Sequence, residues 1–180
     1  MNFQEYQSQS KRTCSDLGGD KINLPHMVLG MNSEMNELEE AIANNDRVNI
    51  SEELSDFQWY YANYCTFRGF LFAPEAELHD NAPMESTQNC IKSLYHLMSK
   101  LQDLVKKNMA YGKPISHRDE NSILEPIQWK IKNIALNESI DIFKGLENNI
   151  NKLKLRYPDK FSEERAINRD TDAERRELEK

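Results

Sequence analysis

The segment SEMNELEEAIANNDRVNISEELSD, residues 33–56, holds eight carboxylate side chains and a single basic residue, Arg47. Its centre, NNDRVN at residues 44–49, is typical of a turn. Apolar residues recur every three or four positions on both sides of this turn: Met31, Leu38 and Ile42 before it, and Leu54, Phe57 and Tyr61 after it. The periodicity predicts two amphipathic helices, and so short a connection makes them antiparallel neighbours.

The same periodicity continues along the chain and predicts an all-α bundle around a four-helix core. The predicted helices cover residues 2–15, 25–44, 49–67, 85–109, 122–136 and 139–156, and no segment shows the alternation of a strand. Asn49 is the predicted N-cap of the third helix, with Glu52 as its capping-box partner. Pro25 is expected in the first turn of the second helix. Residues 157–180 are predicted to form a charged, partly helical tail.

Composition favours a single domain, residues 1–180, with a core of its own. The chain has 180 residues, of which 38% are hydrophobic and 29% charged, and only six are glycine. A net charge of −7 argues against a broad basic surface for nucleic acid. We expect no signal peptide and no membrane helix, because no long apolar run occurs. Three cysteines without a C-x-x-C motif, Cys14, Cys65 and Cys90, suggest reduced thiols and a cytoplasmic location.

The acidic segment contains two carboxylate pairs at helical spacing. Glu34 and Glu37 are three residues apart on one predicted helix, and Glu53 and Asp56 are three apart on the next. Such pairs project from one face of a helix, so antiparallel helices bring four carboxylates together. Converging carboxylates repel each other unless a cation binds, and oxygen ligands suit Mg²⁺ or Mn²⁺. The simpler alternative is a solvated acidic face without metal.

Two short segments suggest an internal repeat. SEMNEL at residues 33–38 is similar to SKLQDL at 99–104, and ELSDFQW at 53–59 is similar to ILEPIQW at 123–129. The second copy has different residues at the four acidic positions, and only one of them is acidic. Lys100, Asp103, Ile123 and Pro126 take the places of Glu34, Glu37, Glu53 and Asp56. One reading is a duplicated helix pair in which only the first copy kept the acidic site. The other is chance similarity between short segments.

These motifs resemble the MazG-like all-α nucleoside triphosphate pyrophosphohydrolases. The family signature is E-x-x-E followed by E-x-x-D after a short spacer, and LGMNSEMNELEEAI at 29–42 with EELSDFQWYY at 52–61 matches it. Ser33 stands where the family often has another Glu. The opening FQEYQSQSKRT and the ending NNINKLKLRYPDKFSEERAINRD, residues 148–170, resemble phage and bacterial members. Residues 68–95 lie outside the resemblance and are expected to be a loop or an insertion.

The resemblance implies Mg²⁺-dependent hydrolysis of a nucleoside or deoxynucleoside triphosphate to the monophosphate and pyrophosphate, with water attacking the α-phosphate. It makes Glu34, Glu37, Glu53 and Asp56 the catalytic metal ligands. The expected phosphate-binding residues are Asn149, Lys152, Arg156, Lys100 and Arg169, and candidates to border the base are Tyr6, Gln7 and Asn23. A homodimer or higher homo-oligomer is also implied.

Two other functions remain open from the sequence. One is a pyrophosphatase of the same superfamily selective for dUTP or dCTP, and the other is a non-catalytic helical module stabilised by metal. Zinc, P-loop and dinucleotide motifs are absent from the sequence, since no histidine pair has zinc spacing and neither glycine-rich pattern occurs.

Overall fold

The structure, a computed structural model, describes residues 1–72 and 85–179, and over these ranges the chain forms eight α-helices and no strand. They are α1 (Phe3–Arg12), α2 (Asp20–Ala43), α3 (Arg47–Arg68), α4 (Thr87–Tyr111), α5 (His117–Asn137), α6 (Ile142–Arg156), α7 (Glu163–Ile167) and α8 (Thr171–Leu178). The prediction of an all-α fold is confirmed, and so is the partly helical tail. Residues 87–95 belong to α4, which agrees with the helix predicted over 85–109 and shows that these residues are not a loop or insertion. The rest of that predicted loop is described only at 68–72 and 85–86.

Two helices begin differently from the sequence prediction because other residues cap them. The carbonyl oxygen of Gly19 accepts hydrogen bonds from the N–H groups of Ile22 and Asn23, so α2 starts before Pro25 and the proline lies inside the helix. Asp46, not Asn49, is the N-cap of α3, and its side chain accepts a hydrogen bond of 3.1 Å from the N–H of Asn49.

The fifth predicted helix also begins earlier than expected. Ser116 caps α5 by accepting a hydrogen bond of 3.1 Å from the N–H of Asp119, which adds more than a turn before residue 122. A serine followed three residues later by an acidic residue is a common helix start. The predicted break at residues 111–121 is therefore limited to the short connection between α4 and α5.

The helices pack as two antiparallel pairs with α1, α6 and α8 added on one side. α3 lies along α2, α4 packs against both α2 and α5, α1 and α6 pack on α3, and α8 packs on α6. Large side chains fill the centre and are almost fully buried, among them Met27, Met31, Leu38, Phe57, Tyr64, Leu94, Leu101, Ile127 and Ile131. Within the described ranges, none of the helices combines the length and the hydrophobicity that a membrane span needs.

Equivalent positions of the suspected repeat meet in the middle of the bundle. Gln58 on α3 and Gln128 on α5 are buried, and each donates a 2.9 Å hydrogen bond to the other's side-chain oxygen. Asn63 and Asn133, separated by the same 70 positions, each donate to the carbonyl four residues back. A residue that contacts its own equivalent lies on a twofold axis. These contacts support a duplicated helix pair.

Candidate metal centre

An acidic cavity of about 520 Å³ lies beside the contact between α2 and α3. Six carboxylate side chains line it: Glu34, Glu37, Glu52, Glu53 and Asp56 from α2 and α3, and Glu163 from α7. The chain that follows α6 supplies the facing wall, including Tyr157 and Phe161. Arg12 fixes that segment, since its guanidinium donates to the carbonyl oxygens of residues 157, 158 and 159 at 2.7, 3.2 and 2.6 Å. The cavity therefore needs the first helix, the central pair and the tail together.

Three of the predicted ligands converge in this cavity. Glu34, Glu37 and Glu53 each present a carboxylate oxygen, and these three oxygen atoms lie within 4.8 Å of one another. The convergence follows from the helical spacing of Glu34 and Glu37 on α2 and from the antiparallel packing of α3, which brings Glu53 alongside. This separation is suited to three oxygen ligands around one ion.

The raised pKa values of the clustered carboxylates show the charge repulsion and the burial cost that a bound cation would offset. Burial, followed by the nearby charge of Asp56, raises the pKa of Glu53 to about 9 and that of Glu34 to about 7. Without a cation the two side chains are hydrogen-bonded to each other, and at neutral pH Glu53 keeps its proton while Glu34 is about half ionised. A hard divalent cation lets them ionise, and an all-carboxylate donor set fits Mg²⁺ or Mn²⁺.

Asp56, the fourth predicted ligand, is held from behind by two buried residues on α6. Lys152 Nζ lies 2.5 Å from Asp56 Oδ2 and 3.1 Å from Glu52 Oε1, and its side chain is only 1% exposed. The Asn149 amide donates to Asp56 Oδ1. Behind it, the Tyr6 hydroxyl donates a 3.0 Å hydrogen bond to Asn149 Oδ1. Asp56 therefore lines the cavity in a fixed orientation, with both of its oxygens bonded.

No protein-family model, curated protein or solved structure matches the chain. The family assignment stays a prediction from the sequence motifs.

The predicted phosphate-binding residues fall into three groups. Arg156 and Arg169 line the acidic cavity. Asn149 and Lys152 are fully buried because close packing of α6 on α3 covers them. Asn149 contacts the cavity lining through Asp56, and Lys152 contacts it through Asp56 and Glu52. Lys100 is exposed on α4 and lines a separate surface groove with Asp103, so the structure does not bring it to the acidic cavity. Its helix packs on α2 and α5, away from α6.

The three residues expected to border a base do not line the cavity either. Tyr6 is buried beneath Asn149, as described above. Gln7 bonds to Thr66 and to the backbone of Phe70 and Phe72, and Asn23 bonds to Asp16 and to the N–H of Leu17. Tyr6 thus joins the middle of α3 to the middle of α6, and Gln7 and Asn23 hold the segments that follow α3 and precede α2.

Sequence reasoning missed Glu174 as a site residue. It lies on α8, is 4% exposed and binds both arginines of the cavity. The surrounding segment, DTDAERRELEK at residues 170–180, carries charges at most positions, so nothing in the pattern distinguishes the buried carboxylate from its solvated neighbours. Its partners are apparent only from the folded tail.

Gly145 allows α6 to approach α3 closely enough for Lys152 to reach Asp56. A Cβ atom at Gly145 would lie 2.7 Å from Ser55 Oγ and 3.2 Å from Ser51 Oγ. We expect Gly145→Ala to lower the free energy of unfolding by about 1–3 kcal/mol, because the two helices must separate. Urea unfolding measures this change. Glu147→Ala on the exposed face of α6 is the control, and an equal effect of both substitutions would contradict the explanation.

The raised pKa values of Glu34 and Glu53 predict a pH-dependent stability in EDTA. Between the ordinary glutamate pKa of 4.5 and the raised values, the folded chain binds more protons than the unfolded chain, so its free energy of unfolding falls as pH rises from about 4.5 to about 9. Mg²⁺ binding should release protons and should raise the melting temperature more at pH 9 than at pH 6.

Thermal melts at pH 6 and pH 9, in EDTA and in Mg²⁺, measure both effects. Glu53→Gln, which cannot titrate at this position, should show a weaker dependence on pH than the parent chain and no rise in melting temperature on adding Mg²⁺. Identical pH profiles for Glu53→Gln and the parent chain would contradict the interpretation that the carboxylate cluster binds protons in the folded chain.

Proposed function

We propose that this chain hydrolyses nucleoside triphosphates, with ribose or deoxyribose, to the monophosphate and pyrophosphate in the presence of Mg²⁺. The observation that carries the proposal is the make-up of one cavity. It joins a cluster of three carboxylates, Glu34, Glu37 and Glu53, to two arginines, Arg156 and Arg169, and to a wall of aromatic side chains. Each part suits a different part of a nucleoside triphosphate.

The carboxylate cluster suits the phosphates only when a cation lies between them. A triphosphate and the six carboxylates that line the cavity repel each other, so direct binding without metal is unfavourable. A divalent cation held by Glu34, Glu37 and Glu53 supplies positive charge to the phosphate oxygens and makes water a better nucleophile. Phosphoryl transfer depends mainly on such positioning and charge stabilisation.

The remaining acidic side chains have a different part in the proposal. Asp56 and Glu52 share the buried ammonium group of Lys152, which holds both side chains in fixed positions at the cavity wall. A carboxylate fixed in this way is suited to orient water against the α-phosphate or to accept its proton. Asp56 has the better-defined orientation, because Asn149 and Lys152 bond to separate oxygens.

Aromatic side chains in the cavity lining are suited to hold a nucleoside. Trp59 and Tyr60 stand edge to face with ring centroids 4.9 Å apart, and Trp59 Nε1 donates a 3.0 Å hydrogen bond to Thr13. The Tyr60 ring lies directly on Gly30, where a Cβ would come within 2.4 Å of it. Tyr157 and Phe161 belong to the facing wall. A cavity of about 520 Å³ with aromatic side chains in its lining is within the range of small-molecule sites.

Product analysis tests the proposal. The eight common NTPs and dNTPs are incubated with the chain in Mg²⁺ and in EDTA, and pyrophosphate and monophosphate are measured. We expect metal-dependent release of both in equal amounts. A marked preference for dUTP or dCTP would select the narrower enzyme, and release from none of the eight substrates would reject the proposal. The homodimer or higher homo-oligomer stays a prediction for sedimentation analysis.

A further inference from the structure

One buried carboxylate, Glu174, joins the charged tail to two arginines of the acidic cavity. Glu174 on α8 accepts two hydrogen bonds from Arg156, from Nε at 2.9 Å and from Nη2, and one from Arg169 Nη2 at 2.7 Å. The Glu174 side chain is 5% exposed, whereas that of Arg169 is 41% exposed. Two positive side chains from different parts of the chain are therefore joined on one negative group.

This arrangement leaves positive charge at the cavity. Burial raises the pKa of Glu174, but hydrogen bonds from Arg156 and Arg169 outweigh it and lower the pKa to about 2. The carboxylate is thus ionised at any pH at which the protein would work, and the three groups together carry one net positive charge. Without the carboxylate, two guanidinium groups this close would repel each other and separate.

Donor groups remain for a ligand. A guanidinium has five N–H donors in a planar fork, and the contact with Glu174 uses one of those on Arg169. Both arginines line the same cavity as Glu34 and Glu53. Planar, charged donors held side by side are suited to phosphate oxygens, to which they bind bidentately.

We infer that Glu174 is a positioning residue that holds Arg156 and Arg169 together as a clamp for the two outer phosphates of the triphosphate. The inference rests on the proposed function and assigns the phosphate end of that site. The carboxylate cluster and its cation take the α-phosphate end, and the clamp takes the part that leaves as pyrophosphate. The ligand class recognised by the clamp is a polyphosphate.

Other contacts hold α8 in place without Glu174. Arg175 donates to the side chain of Asn49 and lies 3.8 Å from Asp46, both near the start of α3. Asn148 donates to the carbonyl oxygen of Leu178. A Glu174→Gln substitution keeps the size of the side chain and removes its charge. The variant should therefore keep the tail docked while loosening the two arginines.

Steady-state kinetics and calorimetry with inorganic tripolyphosphate in Mg²⁺ test the clamp. For Glu174→Gln we expect KM to rise about tenfold, kcat to stay within about threefold, and the affinity for tripolyphosphate to fall about tenfold, since charge-assisted contacts to the outer phosphates weaken. Glu179→Gln is the matched control. It makes the same change beside the same helix, where Glu179 accepts a 3.0 Å exposed contact from Arg175, and should change neither quantity.

Arg169→Ala gives a second route if Glu174→Gln melts at a much lower temperature. It should weaken tripolyphosphate binding to a similar extent, and the double variant should bind little more weakly than either single variant, because the residues act as a unit.

Unchanged KM and unchanged tripolyphosphate affinity in Glu174→Gln would overturn the inference while hydrolysis stands. Tripolyphosphate binding that depends on Glu174, in a chain that hydrolyses no nucleotide, would support the clamp and reject the proposed function. No tripolyphosphate binding by the parent chain would overturn the clamp.

Discussion

Replacing Glu53 by Gln should abolish Mg²⁺-dependent pyrophosphate release, with kcat/KM lowered by about 1000-fold or more, since several kcal/mol of charge stabilisation depends on the cation. Glu53 is the most buried of the three clustered carboxylates and the one whose pKa burial and Asp56 raise furthest. The amide cannot replace the second carboxylate oxygen as an anionic ligand. The loss is measured as pyrophosphate released from the best substrate of the product analysis.

The same substitution should leave the fold intact. At neutral pH without metal, Glu53 is protonated, and glutamine has nearly the shape of the protonated acid. The melting temperature in EDTA should therefore change little, whereas the rise on adding Mg²⁺ should disappear. Glu40→Gln on the exposed face of α2 is the control and should keep both activity and the Mg²⁺ response. A Glu53→Gln protein with normal turnover would remove the cluster from the mechanism.

Replacing Lys152 by Met should lower the free energy of unfolding by about 3–5 kcal/mol, because breaking a buried ion pair leaves its partners uncompensated. The Lys152 side chain is 1% exposed and bonds to Asp56 and Glu52 together. Methionine fills most of the space but neutralises neither carboxylate. Activity should fall as well, since Asp56 loses one of the two contacts that orient it. Urea unfolding and pyrophosphate release measure the two effects.

A second substitution separates charge from packing. Adding Asp56→Asn to Lys152→Met removes one of the unpaired carboxylates, so the double variant should regain part of the lost stability while remaining inactive. Lys154→Met, exposed on the same helix, is the control and should change stability by less than about 0.5 kcal/mol. Equal losses at positions 152 and 154 would show that the ion pair does not stabilise α6 on α3.

Helix positions were predictable from the sequence because a core stripe repeats over many residues. The apolar residues that include Leu38 and those that include Leu54 predict α2 and α3 correctly, since many residues recur at the same helical spacing. Helix starts were less predictable because a single cap decides each one. Asn49 and Asp46 are both good caps, and only the left-handed turn at Asn45, with φ of 54°, places Asp46 at the start of α3.

The candidate site also combines residues that local spacing predicts with residues that only the packing of distant helices places. Local spacing was sufficient to bring Glu34, Glu37 and Glu53 together, because two adjacent helices carry them. Asn149 and Lys152 were singled out from the sequence as substrate contacts, yet they lie behind Asp56, since burial depends on how closely α6 meets α3 at Gly145. Glu174 had no signal at all, because its partner Arg156 is 18 positions away and its neighbours are equally charged.

The mutual hydrogen bonds of Gln58 and Gln128 have a consequence for how this sequence evolves. Each side chain satisfies the donor and the acceptor of the other in a buried setting, so changing one leaves two unmet polar groups, at a penalty of about 1–3 kcal/mol each. Replacing both by apolar residues of similar size avoids that penalty. In an alignment of relatives, the two positions should therefore vary together, either both amide or both apolar, with mixed pairs rare.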